Sequence, residues 1–600
     1  MMKKGLGYPF FKTLRRMLQN VTDINPALYG WFALYTVTAV AAPVFPVLLP
    51  KLAITQLQGG TLQALLLQLT AFCVLWAVFL FGSVYLKGTT GIKLIRLRLD
   101  YMLENFNKLL TLKYCYREDA TFYEKHQKAL NATSNGTNGM EGSYRKLFEA
   151  PSQFIFLLGL AVFIGLLNPI ILLGLVLNFA AVFWIGRQVQ RLTVSKNEEL
   201  AHCDRRADYC YKTSSDFAYG KDARLYRMQD SLLTNYRKQT QAWVTVLGLI
   251  KNREFTLGFL SLFTLLLSDA ATYLVLIVLV VRGMSLADFS MYLAATVSLS
   301  AYLTAFSESL ATLLNEMQYV SDFYSFEDAD LGEQGGGYIA AKLESLKIEF
   351  KNMSFRYPNT EKFIFQNLNL TIAPGEKLAI VGINGAGKST LVKLMCGLFD
   401  PTEGELLLNG VPVGQYNKKY LYSLYSVVFQ EPVMLAFSIQ QNVACCAKDI
   451  DEDRVRDCLQ QAGLWEKVSS LPKGMNQPML KIIEDDGIEL SGGQTQKLAI
   501  ARALYRQGAA VIMDEPTAAL DALAEAEIYQ QFDRLVQGKT AIYISHRLAS
   551  TRFCDHIALF DNDGLKEYGT HDELMAANGS YCEMFTVQGR YYREGVQADA

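Results

Sequence analysis

At 600 residues the chain is too long for one compact domain. It is 51% hydrophobic and 19% charged, against about 25% charged in ordinary soluble domains, which points away from a wholly soluble protein and toward membrane segments. The net charge of -1 argues neither for nor against nucleic acid; no nucleic-acid partner is expected from the rest of the sequence.

In chain order, 1–17 is basic and aromatic and lacks the apolar core of a signal peptide. It reads as an amphipathic helix on the cytosolic membrane surface. A hydrocarbon core of about 30 Å takes roughly 20 apolar residues as helix. The stretch 24–50 carries no charge and gives a first helix near 27–50, with Pro43 and Pro46 inside it. A second lies near 61–86, after the Gly59-Gly60 turn. The uncharged run 150–186 is too long for one span, and Asn168-Pro169 divides it into helices near 150–167 and 170–186. Helices near 255–281 and 289–312 complete six spans.

The short joining segments carry only Lys51, no charge, and Arg282 with Asp288, whereas the N-terminal arm, 87–146 and 187–253 are rich in Lys and Arg. Positive residues stay inside, so both termini and both long loops are expected in the cytosol. The loops read as helical extensions of the spans. Asp269 is the one charged residue between 255 and 281. An acid at bilayer depth marks a candidate substrate pathway, although a packing role is the plainer alternative.

The composition changes near 328–343, where Gly335-Gly336-Gly337 makes a flexible linker. This divides the chain into a membrane domain, 1–327, and a soluble α/β domain, 344–600. The ten cysteines are scattered without metal-site spacing and read as free thiols.

Chemistry concentrates in the second domain. An apolar strand over 377–381 runs into Gly382-Ile-Asn384-Gly385-Ala-Gly387-Lys388-Ser389-Thr390. Such a loop wraps phosphates with backbone N–H groups at a helix N-terminus, with Lys388 on the β- and γ-phosphates and Ser389 on Mg2+. A second strand ends in Asp514-Glu515. The first carboxylate suits the Mg2+ shell, through water, and the second suits a general base toward water. Between them Leu490-Ser491-Gly492-Gly493-Gln494 opens another helix. One nucleotide does not need two phosphate-binding helix ends from one domain, so this one is expected to cap the nucleotide of another copy.

On these motifs the chain resembles the ATP-binding-cassette exporters of bacterial multidrug, lipid and peptide type, over nearly its whole length. The resemblance implies an all-α six-helix membrane domain followed by an α/β P-loop ATPase domain, in one half of a dimeric exporter of the cell membrane. Tyr357 then stacks on adenine, Gln430 touches Mg2+ and reports to the membrane domain, Asp521 lies in the D-loop, and His546 contacts the γ-phosphate. The segments 117–124 and 215–227 resemble coupling helices. The acidic stretch 483–489 departs from the family pattern, which bears on domain coupling and not on the ATP site.

ATP and Mg2+ are the implied cofactors. The implied partners are the bilayer, an unidentified substrate and a second half-transporter. A homodimer is favoured over a heterodimer because Glu515 and the Ser491–Gln494 motif are both intact. The rival readings are an importer built on the exporter fold and an ATP-gated regulator without transport.

Overall fold

The computed structural model describes residues 8–134, 136, 138–167, 169–216, 219–333, 335–341, 343–515, 536, 538–562 and 564–597. The chain forms two compact units: one ends at Ala329, and the other starts at Asp330 and also takes in Thr111–Tyr123.

The first unit is helical: α1 (Phe10–Ile24), α2 (Ala27–Ala41), α3 (Val44–Gly59), α4 (Leu62–Leu110), α5 (Ala120–Ser134), α6 (Gly139–Leu167), α7 (Pro169–Ser215), α8 (Gly220–Leu225), α9 (Gln229–Val281) and α10 (Leu286–Glu327). Among the described residues, six segments are long and apolar enough to cross a membrane: α2 with α3, then α4, α6, the first half of α7, α9 and α10.

The apolar windows read from sequence lie inside longer helices. Hydropathy marks the part of a helix suited to lipid, while the backbone hydrogen bonds continue into polar sequence. The start of α6 illustrates why charge does not end a helix. Glu141, only 1% exposed, is paired with Arg98 at 3.1 Å and hydrogen-bonded by Arg145 Nε at 3.0 Å. The first span is stepped instead of continuous. Pro43 lacks an N–H and disfavours helix in the residue before it, so α2 stops at Ala41 and α3 restarts at Val44. Pro46 then sits in a first turn, where no donor is required.

Phe156, Leu160 and Ile164 of α6 share a buried cluster with Met291, Ala295 and Leu299 of α10. Thr13, Met17 and Val21, four residues apart on one face of α1, are buried. Next to them the Tyr101 hydroxyl accepts from Asn20 Nδ2 at 2.7 Å and meets the Tyr144 hydroxyl at 2.9 Å, and Tyr144 donates to the Met17 carbonyl. The described part of the N-terminal helix is thus held by protein along one face. Residues 1–7 of the segment read as surface-lying fall outside the described residues.

The second unit has ten strands among its described residues: β1 (Ile348–Phe355), β2 (Phe365–Ile372), β3 (Lys377–Gly382), β4 (Glu403–Leu408), β5 (Val411–Pro412), β6 (Tyr425–Val428), β7 (Ala510–Asp514), β8 (Thr540–Ile544), β9 (His556–Asp561) and β10 (Gly564–Gly569). An antiparallel sheet has the order β2-β1-β4-β5, and a six-stranded sheet the order β10-β9-β3-β8-β7-β6. In the larger sheet every pair is parallel except β9–β10. Its central strands are buried apolar runs, as covered parallel strands require. The register aligns Ile380 with Ile544, Ile544 with Asp514, and Met513 with Val428. The carboxyl ends of β3, β6, β7 and β8 therefore open on one edge, where ligands of open α/β sheets bind.

Candidate nucleotide site

Each strand end on that edge delivers one of the motifs. β3 ends at Gly382 and turns into the helix Lys388–Met395. Gly387 has φ +85°, and a Cβ there would fall 2.7 Å from Ile364 and Phe365 side-chain carbons. A Cβ on Gly382 would lie 2.0 Å from the Phe560 carbonyl oxygen. Only glycine lets the loop pass so close to β9. Asn384, Gly385 and Ser389 are exposed along its outer side. Lys388 donates to the loop carbonyls of Gly382 and Ile383 at 2.9 and 3.0 Å. Burial pulls its pKa down, while the Glu515 and Asp514 carboxylates oppose that shift.

β7 ends at Asp514, which is 4% exposed. Burial raises its pKa, chiefly against the Ser389 hydrogen bond. Its Oδ1 is buried without a hydrogen-bond partner among the described residues, an expensive arrangement that a cation would relieve. The next residue, Glu515, turns out of the strand with φ +50°, a conformation that costs a non-glycine residue about 1–3 kcal/mol. Several contacts hold it there. Its N–H donates to the Ile544 carbonyl at 3.0 Å. Gln430 Nε2 donates to Oε2 at 2.9 Å, and His546 Nε2 contacts Oε1. Gln496 Nε2 reaches its carbonyl at 3.5 Å. Burial and Lys388 lower the His546 pKa, with Glu515 opposing.

Tyr357 stands just past β1. Its ring meets Phe355 and Phe399 edge-on, with centroids 5.3 and 5.4 Å away, and its hydroxyl bonds Thr390 Oγ1 at 2.8 Å. A cleft of about 540 Å3 opens beside it, walled by Arg356, Asp400, Thr402 and Cys115. Cys115 belongs to the 111–123 segment, which is fastened by a Tyr114–Phe399 edge contact at 5.5 Å and a Lys113–Asp400 ion pair.

The structure thus brings Lys388, Asp514, Glu515, Gln430 and His546 together and puts Tyr357 beside Thr390 at the start of the P-loop helix. Ser491 and Gln494 instead cap their own helix, Gly492–Arg506, reciprocally: the Gln494 N–H donates to Ser491 Oγ, and Gln494 Oε1 accepts from the Ser491 N–H. Ser491 and Gly492 are exposed, which leaves that helix end open to a ligand. Asp521 lies outside the described residues.

Sequence reasoning missed Gln496, Phe399 and the Lys113–Tyr114 contacts. Gln496 lay two residues beyond a motif already singled out. The other contacts join segments nearly 290 residues apart, which no local pattern reveals.

The oxygen donors of Ser389 and Asp514 fit Mg2+, which commonly takes one or two protein ligands and completes its shell with water and substrate phosphates. Among the described residues no group of three His, Cys, Asp or Glu forms a cage of its own.

The family model described as ABC transporter matches residues 365–518. An ATP-dependent lipid A-core flippase of Burkholderia orbicola (strain AU 1054) is 37% identical over 255 residues, 42% of either chain. The protein of the same name from Hahella chejuensis (strain KCTC 2396) is 32% identical over 310 residues, 51% of this chain and 52% of that one. The chain therefore aligns with about half or less of the length of these relatives. A structure of a bacterial Atm1-family ABC exporter with ATP bound superposes with a TM-score of 0.79 at 21% identity, covering 96% of this chain and 99% of that one. Residues 365–518 thus match the ABC transporter model, and over nearly its whole length the chain has the fold of an ABC exporter, with six segments long and apolar enough to cross a membrane ahead of one α/β domain.

Proposed function

We propose that two copies of this chain form an ATP-driven exporter, with 1–327 as the membrane domain, 328–343 as linker, 344–600 as the ATPase domain and both termini in the cytosol. The observation that carries this reading is the double grip on Glu515 by Gln430 and His546 at the strand ends beside Lys388. A carboxylate fixed there is placed to take a proton from the water that attacks the γ-phosphate. Mg2+, held through Ser389, Gln430 and Asp514, would supply charge neutralisation at the phosphates. Lys388 binds the β- and γ-phosphates, and His546 orients the γ-phosphate. Gly382, Asn384, Gly385, Gly387 and Thr390 shape the cradle.

The exposed Ser491 helix end supports a composite site in which Ser491, Gly492, Gly493 and Gln494 of one copy cap the nucleotide of the other, with Asp521 at that seam. Among the described residues, the most apolar stretch of α4 has none of its residues buried, which leaves it open to lipid or a second copy. ATP binding by both copies then favours the closed dimer, and hydrolysis reopens it. The closure that ATP binding drives cannot exceed the difference in ATP affinity between the two states.

The relatives' names make an amphiphilic lipid the first substrate class to test. The purified chain is reconstituted alone into liposomes with fluorescent anionic lipids. The expected result is ATP-dependent movement across the bilayer and stimulated ATPase activity. ATPase activity that no lipid, peptide, drug or chelate alters, with no movement of any of them, would favour a regulator over an exporter.

On this reading Tyr357→Ala weakens nucleotide more than it slows chemistry, because base–aromatic stacking is worth about 1–3 kcal/mol. KM for ATP should rise about 5–150-fold with kcat little changed. A fall in kcat at constant KM would remove Tyr357 from the base site.

Asp269 is half-buried in α9, next to Ser268, whose buried hydroxyl Oγ has no partner among the described residues. An acid at bilayer centre costs roughly 2.5–3.5 kcal/mol, so we assign it to the translocation pathway, with a preference for cationic or donor-rich groups on the substrate. Asp269→Asn should keep basal ATPase and lose most substrate stimulation and transport. A destabilised protein with basal ATPase reduced in proportion makes Asp269 a packing residue.

A further inference from the structure

The C-terminal helix Ser580–Gln597 sends one side chain back to the catalytic loop. Gln588 Nε2 donates to the His546 carbonyl at 2.7 Å, and its Oε1 accepts the Leu548 N–H at 2.9 Å. Among the described residues this is the one hydrogen bond made by the backbone of His546. Its neighbours are tied elsewhere. The Ser545 N–H bonds the Ile380 carbonyl at 3.3 Å, and the Ser545 and Ser550 hydroxyls both donate to the Arg547 carbonyl.

The helix is itself well anchored. Glu567 in β10 accepts the Ser580 and Tyr581 N–H groups at 2.6 and 3.1 Å. Tyr581 is fully buried, and its hydroxyl accepts from or donates to Thr551 and His571 at 3.3 and 2.9 Å. Gln588 follows Tyr581 by seven residues, two helical turns, so both project from one face. Met584 and Val587 meanwhile share a cleft with Ile383 of the P-loop.

We infer that Gln588 is a positioning residue for ATP hydrolysis: its amide clamps the loop on both sides of Arg547 and so sets how far the His546 imidazole reaches toward Glu515 and the γ-phosphate. The inference rests on the assignment of His546 to the catalytic site. A carboxamide suits this task because it offers a donor and an acceptor in one plane. Glutamate at the same place would keep the acceptor for Leu548 and face the His546 carbonyl with a second acceptor.

The test uses the full chain in lipid, with Gln588→Ala, Gln588→Glu, His546→Ala and the double variant Gln588→Ala/His546→Ala. Loss of the bond to the His546 carbonyl, with that to Leu548, should lower kcat about tenfold in Gln588→Ala, and replacing the donor by an acceptor should lower it at least as far in Gln588→Glu, with KM for ATP within about twofold. The double variant should turn over no more slowly than His546→Ala, because residues that act as a unit are non-additive. A Gln588→Ala chain with kcat unchanged, whatever its melting temperature, overturns the inference. So does a full additional loss on the His546→Ala background, which would mean that Gln588 acts by another route. Normal turnover in His546→Ala would remove the catalytic assignment beneath the clamp, and the clamp with it.

Discussion

Glu515→Gln should bind ATP and fail to hydrolyse it. Its carboxylate lies between Gln430 Nε2 and His546 Nε2 and next to the buried Asp514. The substitution keeps side-chain size and removes the basic oxygen. Losing a general base typically costs roughly 10^2–10^4-fold in rate. Nothing in the P-loop changes, so nucleotide affinity should stay within a few-fold, and trapped ATP should hold the two ATPase domains closed. Phosphate release measured alongside nucleotide binding, on the same reconstituted protein, checks both halves. Turnover near that of the parent protein removes Glu515 from the catalytic role.

Lys388→Ala should fail one step earlier. The ammonium sits among the carbonyls of Gly382 and Ile383, and two nearby carboxylates favour its charged form against burial. On the proposed reading it exchanges carbonyl for phosphate oxygens when nucleotide binds. Hydrogen bonds to charged groups are worth about 1.5–3 kcal/mol, so ATP affinity should fall about 10–150-fold, and hydrolysis with it. The contrast with Glu515→Gln is the useful feature: one variant holds nucleotide without turnover, the other loses both. Unchanged ATP affinity in Lys388→Ala would place the phosphates elsewhere.

Much of this architecture could be read from sequence, for physical reasons that also mark the limits of such reading. Spans announce themselves because lipid tolerates no unpaired backbone polar group and few charges. A run such as 150–186 must therefore be helix, and its excess length over one span calls for a break, which falls between Leu167 and Pro169. The helix ends were less legible. Polar turns like the start of α6 are stabilised by tertiary ion pairs such as Arg98–Glu141, which hydropathy does not register.

The P-loop was legible because its chemistry demands glycine where φ is positive and backbone approaches backbone, as at Gly382 and Gly387. The partners of Glu515 were named through resemblance. That they converge on one carboxylate follows from the parallel register of β6, β7 and β8, which sequence alone does not supply. Gln588 and Phe399 had no local signature, since each works through a contact made only when the chain is folded.

The most direct test of the central claim is ATPase activity in lipid nanodiscs sorted by copy number. A site completed by Ser491 of a second copy predicts turnover in discs that hold two chains. It predicts ATP binding with almost no turnover in discs that hold one. Equal turnover per chain in one-copy and two-copy discs would contradict the composite site, and with it the reading of this chain as half of a dimeric transporter.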